Sequence, residues 1–211
     1  MKKLFFTMFV CTMLIPFAHA QSPRFGFTVG GTLASYRTNV DDMSATSSST
    51  LGFSVGAIAD IPVGETFTFQ PSLQFLQKGG EESHDIGGTT YKSTLHINYL
   101  ELPLNFLYKT PGKEGNFVFG LGPCLAYGLG GTEKASGGGM DESTSIKFGT
   151  NEAFQNAFEF SGNIVAGYHW ASGFLLQANY NIGFTNLWSS DNGSYKNNYF
   201  GLRVGYLFGG K

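Results

Sequence analysis

The chain has 211 residues, with 13 Lys or Arg against 15 Asp or Glu, so its formal charge is −2 and no basic excess points to nucleic acid. Charged residues make up only 13% of it, roughly half the share found in ordinary soluble domains, while aromatics reach 16% and glycines number 30. With mean hydropathy near zero, the chain offers little conventional soluble surface, and past its N-terminus it has no apolar run long enough to cross a membrane as a helix.

The first element is a secretory signal pattern. Lys2 and Lys3 form a positive region, Leu4 to Phe17 is apolar apart from Thr7 and Thr12, and Ala18-His19-Ala20 is a small-x-small cleavage site. Cleavage after Ala20 makes residues 1–20 a signal peptide and 21–211 one mature domain, and the residues before Cys11 lack the small side chains that lipoprotein processing requires. Cys124 is then the only cysteine of the mature chain, which excludes an intramolecular disulfide.

Eight strands follow in order, near residues 24–36, 51–61, 66–78, 93–108, 116–130, 156–170, 174–186 and 197–208. Each alternates with period two, as side chains on a strand must. Strand one sets Phe25, Phe27, Val29 and Leu33 against Gly26, Thr28, Gly30 and Thr32. The third sets Phe67, Phe69, Leu73 and Phe75 against Thr68, Gln70, Ser72 and Gln74, and the last sets Phe200, Leu202, Val204, Tyr206 and Phe208 against Gly201, Arg203 and Gly205. The connections alternate too. Segments 37–50, 79–92, 131–155 and 187–196 are long and polar, whereas those near 62–65, 110–115 and 171–173 are short. Short periplasmic turns and long outer loops are the pattern of an outer-membrane barrel.

Alternation alone leaves open which face is outward. A lipocalin-like soluble barrel would carry many charges on its polar face, but here that face is mostly Gly, Ser, Thr, Asn and Gln, which suits a narrow lumen. Phe67, Tyr108, Phe117, Tyr168, Trp170, Phe174, Tyr206 and Phe208 gather beside the short turns, as a membrane-interface girdle would. The sequence therefore predicts an all-β, eight-stranded, antiparallel up-and-down transmembrane β-barrel in the bacterial outer membrane, with membrane lipid around it. Pro71 and Pro123 sit inside strands and predict a bulge or local irregularity.

The charges of inward parity are the candidate interior site. Glu101, Arg203, Glu159 and Asn163 face the lumen, and Asp60 lies near the inner end of the second strand. Burying a lone charge is costly, so a Glu101–Arg203 contact is expected, with Glu159 or Asp60 joining it. Signals for catalysis are weak. His84, His96 and His169 lack metal-ligand spacing. His96, near the outer end of the fourth strand, has Ser93 or Glu82 as unspecific partners. Gly128–Gly139 lacks the Gly-Lys-Ser/Thr ending of a phosphate loop, and Asp41-Asp42 lacks the further ligands of a calcium loop. No cofactor, metal or catalytic residue is expected.

With these residues in view, the mature chain resembles the outer-membrane β-barrels of Bacteroidetes often called PorT-like. The resemblance rests on Phe25-Gly26-Phe27-Thr28-Val29-Gly30-Gly31, on Tyr99-Leu100-Glu101-Leu102-Pro103-Leu104, on Gly120-x-Gly122-Pro123, and on the closing strand from Gly201 through Val204 and Tyr206 to Phe208. Gly209-Gly210-Lys211 after the terminal aromatic departs from the usual ending. The resemblance implies an outer-membrane barrel and, through the family's founding member, an association with protein secretion. The expected protein is a monomeric, non-enzymatic barrel with a filled polar interior, engaging a protein partner through its outer loops, in secretion or envelope assembly. A narrow pore or small-ligand transporter and a lipid-modifying enzyme are the alternatives.

Overall fold

The alternating runs fold into a sheet that closes on itself. The computed structural model describes residues 22–40, 43–149, 156–188 and 193–209. The expected signal peptide with Cys11, the Asp41-Asp42 pair and the last two residues lie outside them. The strands are β1 (Arg24–Val40), β2 (Met43–Thr46), β3 (Thr50–Val63), β4 (Phe67–Ile86), β5 (Thr89–Lys109), β6 (Gly115–Gly137), β7 (Met140–Ile146), β8 (Phe158–Trp170), β9 (Phe174–Gly183) and β10 (Gly193–Phe208). Eight of them form the ring β1-β3-β4-β5-β6-β8-β9-β10, and antiparallel pairing of β10 with β1 closes it. The two short strands, β2 and β7, pair with β1 and β6 above the ring.

The ring has a definite stagger. Following paired residues once around it from Lys109 leads through Val118, Gly167, Gln177, Arg203, Gly30, Ser54 and Leu76 and returns to β5 at Tyr99. The circuit is displaced by ten residues, from position 109 to position 99. Eight strands with that stagger make a narrow, tilted cylinder whose lumen side chains can fill.

The faces sort as the alternation requires. Phe25, Phe27 and Val29 are each more than half exposed on the outside, while Thr28 and Thr32 are buried inside. A row of exposed large apolar side chains continues around the cylinder, including Leu51, Leu73, Phe106, Leu121, Ile164 and Leu202. In water such a surface would be a large unfavourable patch; in lipid it is the solvated face. The girdle forms at the lower ends of the strands, where Phe67 meets Tyr108, Phe117 meets Tyr168, Tyr168 meets Trp170, and Tyr206 meets both Phe174 and Phe208, with ring centroids 4.9–5.6 Å apart. All five contacts are edge-to-face, an arrangement aromatic quadrupoles prefer.

One expectation needs correction. Much of the long segments 79–92 and 131–155 is not loop. β4 and β5 stay paired up to Ile86↔Thr89, turning at Gly87-Gly88, and β6 turns at Gly138-Gly139 into β7. These segments are polar on both faces because they stand in water, so the alternation of hydrophobicity vanishes although the pairing continues. The irregularity expected at Pro71 and Pro123 is a gap in the ladder without a change of register. Pairing of β3 with β4 skips from Ile58↔Ser72 to Ile61↔Phe69, across Pro71, and that of β5 with β6 skips from Pro103↔Cys124 to Phe106↔Leu121, across Pro123. The bulge itself lies higher, where Asn98 pairs with Gly130 but Tyr99 pairs with Gly128. It reverses the facing of β6 above Leu129, a change no single-strand pattern reveals.

Candidate functional site: the filled lumen and the extracellular sheet

The lumen is packed with polar side chains from seven of the eight ring strands, while β6 lines it with Val118, Cys124 and Ala126. Lys78, Glu101, Glu159, Gln70 and Gln177 are fully buried, and Arg203, Asn163 and Asn105 nearly so. Lys78 is the centre of the upper group. Its Nζ lies 2.9 Å from Glu101 Oε2 and 2.7 Å from Glu159 Oε1, and 4.9 and 5.2 Å from the ring centres of Tyr99 and Tyr199. Tyr199 donates to Glu101 at 2.6 Å, and Asn197 donates to both Glu159 and Tyr99 at 3.0 Å. One ammonium thus lies between two carboxylates and against two ring faces, the kind of partners a buried charge demands.

Arg203 sits below this group and does not touch Glu101. Its Nη1 donates to Gln74 Oε1 at 2.9 Å, and Gln74 Nε2 donates to Glu101 Oε1 at 2.8 Å. The stagger explains the relay. β10 and β5 are four strands apart in either direction and so face each other across the lumen. Half of the ten-residue displacement places Arg203 level with about residue 104 of β5, so Glu101 stands roughly three residues higher. Counting residues up from each periplasmic end puts the two at one height; the tilt separates them. The same reckoning brings Lys78 and Glu159 to nearly one level, where they pair. Lys78 has the inward parity of Gln70, Ser72 and Gln74, so strand three did carry its signal.

Asp60 does not join Glu101 but heads a second group at the periplasmic end. It accepts from Lys109 at 2.6 Å, Arg24 at 3.2 Å, Thr68 at 3.2 Å and Gln70 at 3.1 Å. Gln177 donates to Gln70 at 2.8 Å and lies 2.9 Å from buried His169. Between the two groups Asn163 donates to Asn105 and accepts from Asn179, each at 3.0 Å. The upper end of the lumen is closed by apolar and aromatic side chains. Tyr36 stacks on Tyr195 with centroids 4.7 Å apart, and Leu76, Leu95, Ile97 and Leu187 are buried beside them. Phe148 packs against this layer over Gly128, where a β-carbon would collide with its ring.

The histidines are dispersed. His84 is exposed on the projecting sheet, and His169 is buried below. His96 has the outward parity of β5, opposite Ser93, whose hydroxyl donates to Glu133 at 2.7 Å. Among the described residues no group of three His, Cys, Asp or Glu could hold a metal ion, and Cys124 is a buried free thiol. Above the membrane, β4, β5, β6 and β7 continue as a four-stranded sheet carrying exposed polar side chains.

A closed eight-stranded sheet that is apolar outside, polar within and belted by aromatics at one end is a transmembrane β-barrel. Residues 19–189 match the family described as "Outer membrane protein beta-barrel domain", and the chain belongs to that family of the bacterial outer membrane. A search of curated protein sequences found no match. Among solved structures the chain is similar to Ail, the attachment invasion locus protein of Yersinia pestis, at 16% identity and a TM-score of 0.42, covering 89% of this chain and 99% of that one. It is also similar to Neisserial surface protein A (14% identity, TM-score 0.40, 86% and 97% covered). The N-terminal barrel domain of Pseudomonas aeruginosa OprF is a further such structure (13% identity, TM-score 0.36, 90% and 100% covered).

Proposed function

We propose that this small outer-membrane barrel is a non-enzymatic interaction protein, monomeric in the membrane, which engages a protein partner through its extracellular strands and loops. The filled lumen carries the reading. A cylinder occupied by Lys78, Glu101, Glu159, Gln70 and Gln177, all fully buried, leaves little room for a solute path and moves any recognition to the sheet above. The Tyr99–Leu104 and Gly120–Pro123 segments support placing it with the PorT-like barrels, and on that footing its partners belong to secretion or envelope assembly. Opposite parity for His96 and Ser93 argues against the lipid-modifying alternative, since a nucleophile and its base need hydrogen-bond contact.

The test is crosslinking in intact cells with the full-length protein and with a variant whose 82–91 and 133–144 hairpin tips are replaced by short Gly-Asn turns. Specific crosslinked partners should be captured by the former and lost from the latter. Retention of the same partners by the truncated barrel would overturn the proposal. So would stable, reproducible channels from purified protein in planar bilayers, which would favour the narrow-pore reading.

A further inference from the structure

The bulge at Leu129 has a consequence for the face of the projecting sheet. Above it the odd residues of β6 continue the inward face, so one row runs Glu82↔Ser93↔Ala135↔Glu142 across all four strands. A second row pairs His84 with Tyr91 on one side and Gly137 with Met140 on the other. Gly137 and Gly138 make room for Tyr91: a β-carbon on Gly138 would come within 2.8 Å of the Tyr91 hydroxyl, and one on Gly137 within 2.8 Å of its Cα. These residues enclose a cleft of about 170 Å³ whose walls are mainly apolar.

Acids occur on both faces of the sheet, but the lysines have one parity only. Glu82, Glu133 and Glu142 share the cleft's face, while Lys92 and Lys134 have the opposite parity together with Glu81, Asp85 and Asp141. Among the described residues lining the cleft, Lys92 is paired with Glu81 at 2.8 Å and the His84 ring lies 3.9 Å from Glu82, which leaves Glu142 without a basic partner there. The cleft therefore combines small central residues, an aromatic and a thioether wall, and a carboxylate at each end of the row. We infer that this extracellular cleft binds a small organic cation with an apolar body, of the arylalkylammonium class. The apolar part would lie against Tyr91, Ala135 and Met140, with the ammonium held between the Tyr91 ring and the carboxylates of Glu82 or Glu142. A metal ion fits less well, because no three ligating side chains converge among the described residues. The inference rests on the proposed role of the extracellular sheet and names a ligand class for it.

The test uses protein extracted from outer membranes and placed in neutral-lipid nanodiscs, titrated by calorimetry and amide NMR. Three probes share one apolar body: phenethylammonium, 2-phenylethanol and 3-phenylpropionate. Phenethylammonium should bind and shift the amides of Tyr91, Gly137 and Met140, the alcohol should bind at least about tenfold more weakly, and the carboxylate should not bind. The surface variants Glu82→Gln/Glu142→Gln and Tyr91→Ala should each weaken phenethylammonium by about tenfold, with Glu133→Gln as a milder case. Equal binding of cation and alcohol, or affinity unchanged in both variants, would overturn the inference. If cation binding is absent while hairpin-dependent crosslinks persist, this inference fails and the interaction role stands. Binding that persists while the crosslinks prove independent of the hairpins would have the opposite meaning.

Discussion

Lys78 shows how much one side chain can carry inside a lipid-bound cylinder. It forms ion pairs with both Glu101 and Glu159, and its loss leaves two buried carboxylates with only Arg203, reached through Gln74, as a nearby cation. Breaking a buried ionic group by removing one partner costs about 3–5 kcal/mol. Lys78→Met should therefore lower the stability measured by urea unfolding in liposomes by that order. Lys78→Met/Glu159→Gln should recover a good part of the loss, because the remaining carboxylate, Glu101, is then balanced by Arg203 through Gln74. If the single variant unfolds at the same urea concentration as the wild type, the upper group is not structural. Residue parity was readable for Glu101, Arg203, Glu159 and Asn163, since each sits between outward apolar neighbours. The choice of partners was not. It depends on the stagger between strands, a property of the closed ring that no strand records by itself.

At the scale of elements, the membrane-spanning parts of the strands were legible and their upper ends were not. Alternation is a signal of two unlike solvents, lipid outside and a polar lumen inside. It stops where both faces meet water, and β4, β5 and β6 run on beyond that point into the projecting sheet. The sheet's turns depend on glycine: Gly87 and Gly88 have φ of 61° and 82°, and Gly138 and Gly139 have 59° and 83°. These are left-handed conformations that other residues enter at a cost. Deleting residues 85–90 and joining His84 to Tyr91 through Asn-Gly should leave the barrel intact, because the ladder below them remains paired in its register. Heat-modifiable migration on a denaturing gel is the readout, and a variant that migrates only as unfolded chain would show that the barrel needs the projecting sheet.

For the whole molecule, the lipid-facing wall and the extracellular sheet predict unequal responses to an introduced arginine. Leu102 faces lipid on β5, and Arg there should cost up to about 2–4 kcal/mol of stability in bilayers. Lys134→Arg, on the extracellular sheet, should cost nothing measurable by the same unfolding assay. Equal sensitivity of the two sites would contradict the membrane placement.

The seam between β1 and β10 has its own meaning for assembly. It joins Phe25 to Phe208 and runs to Val40↔Gly193, so the strand made first pairs with the strand made last. Until β10 arrives, β1 and β9 each present an open edge of unpaired backbone, which lipid cannot hydrogen-bond. Insertion therefore has no stable halfway state inside the membrane, and an interrupted chain cannot rest there as a smaller barrel. A chain ending at residue 192 should fail to accumulate in outer membranes and appear instead as a periplasmic degradation substrate. Its stable presence in washed outer membranes would show that seven strands can close without the eighth.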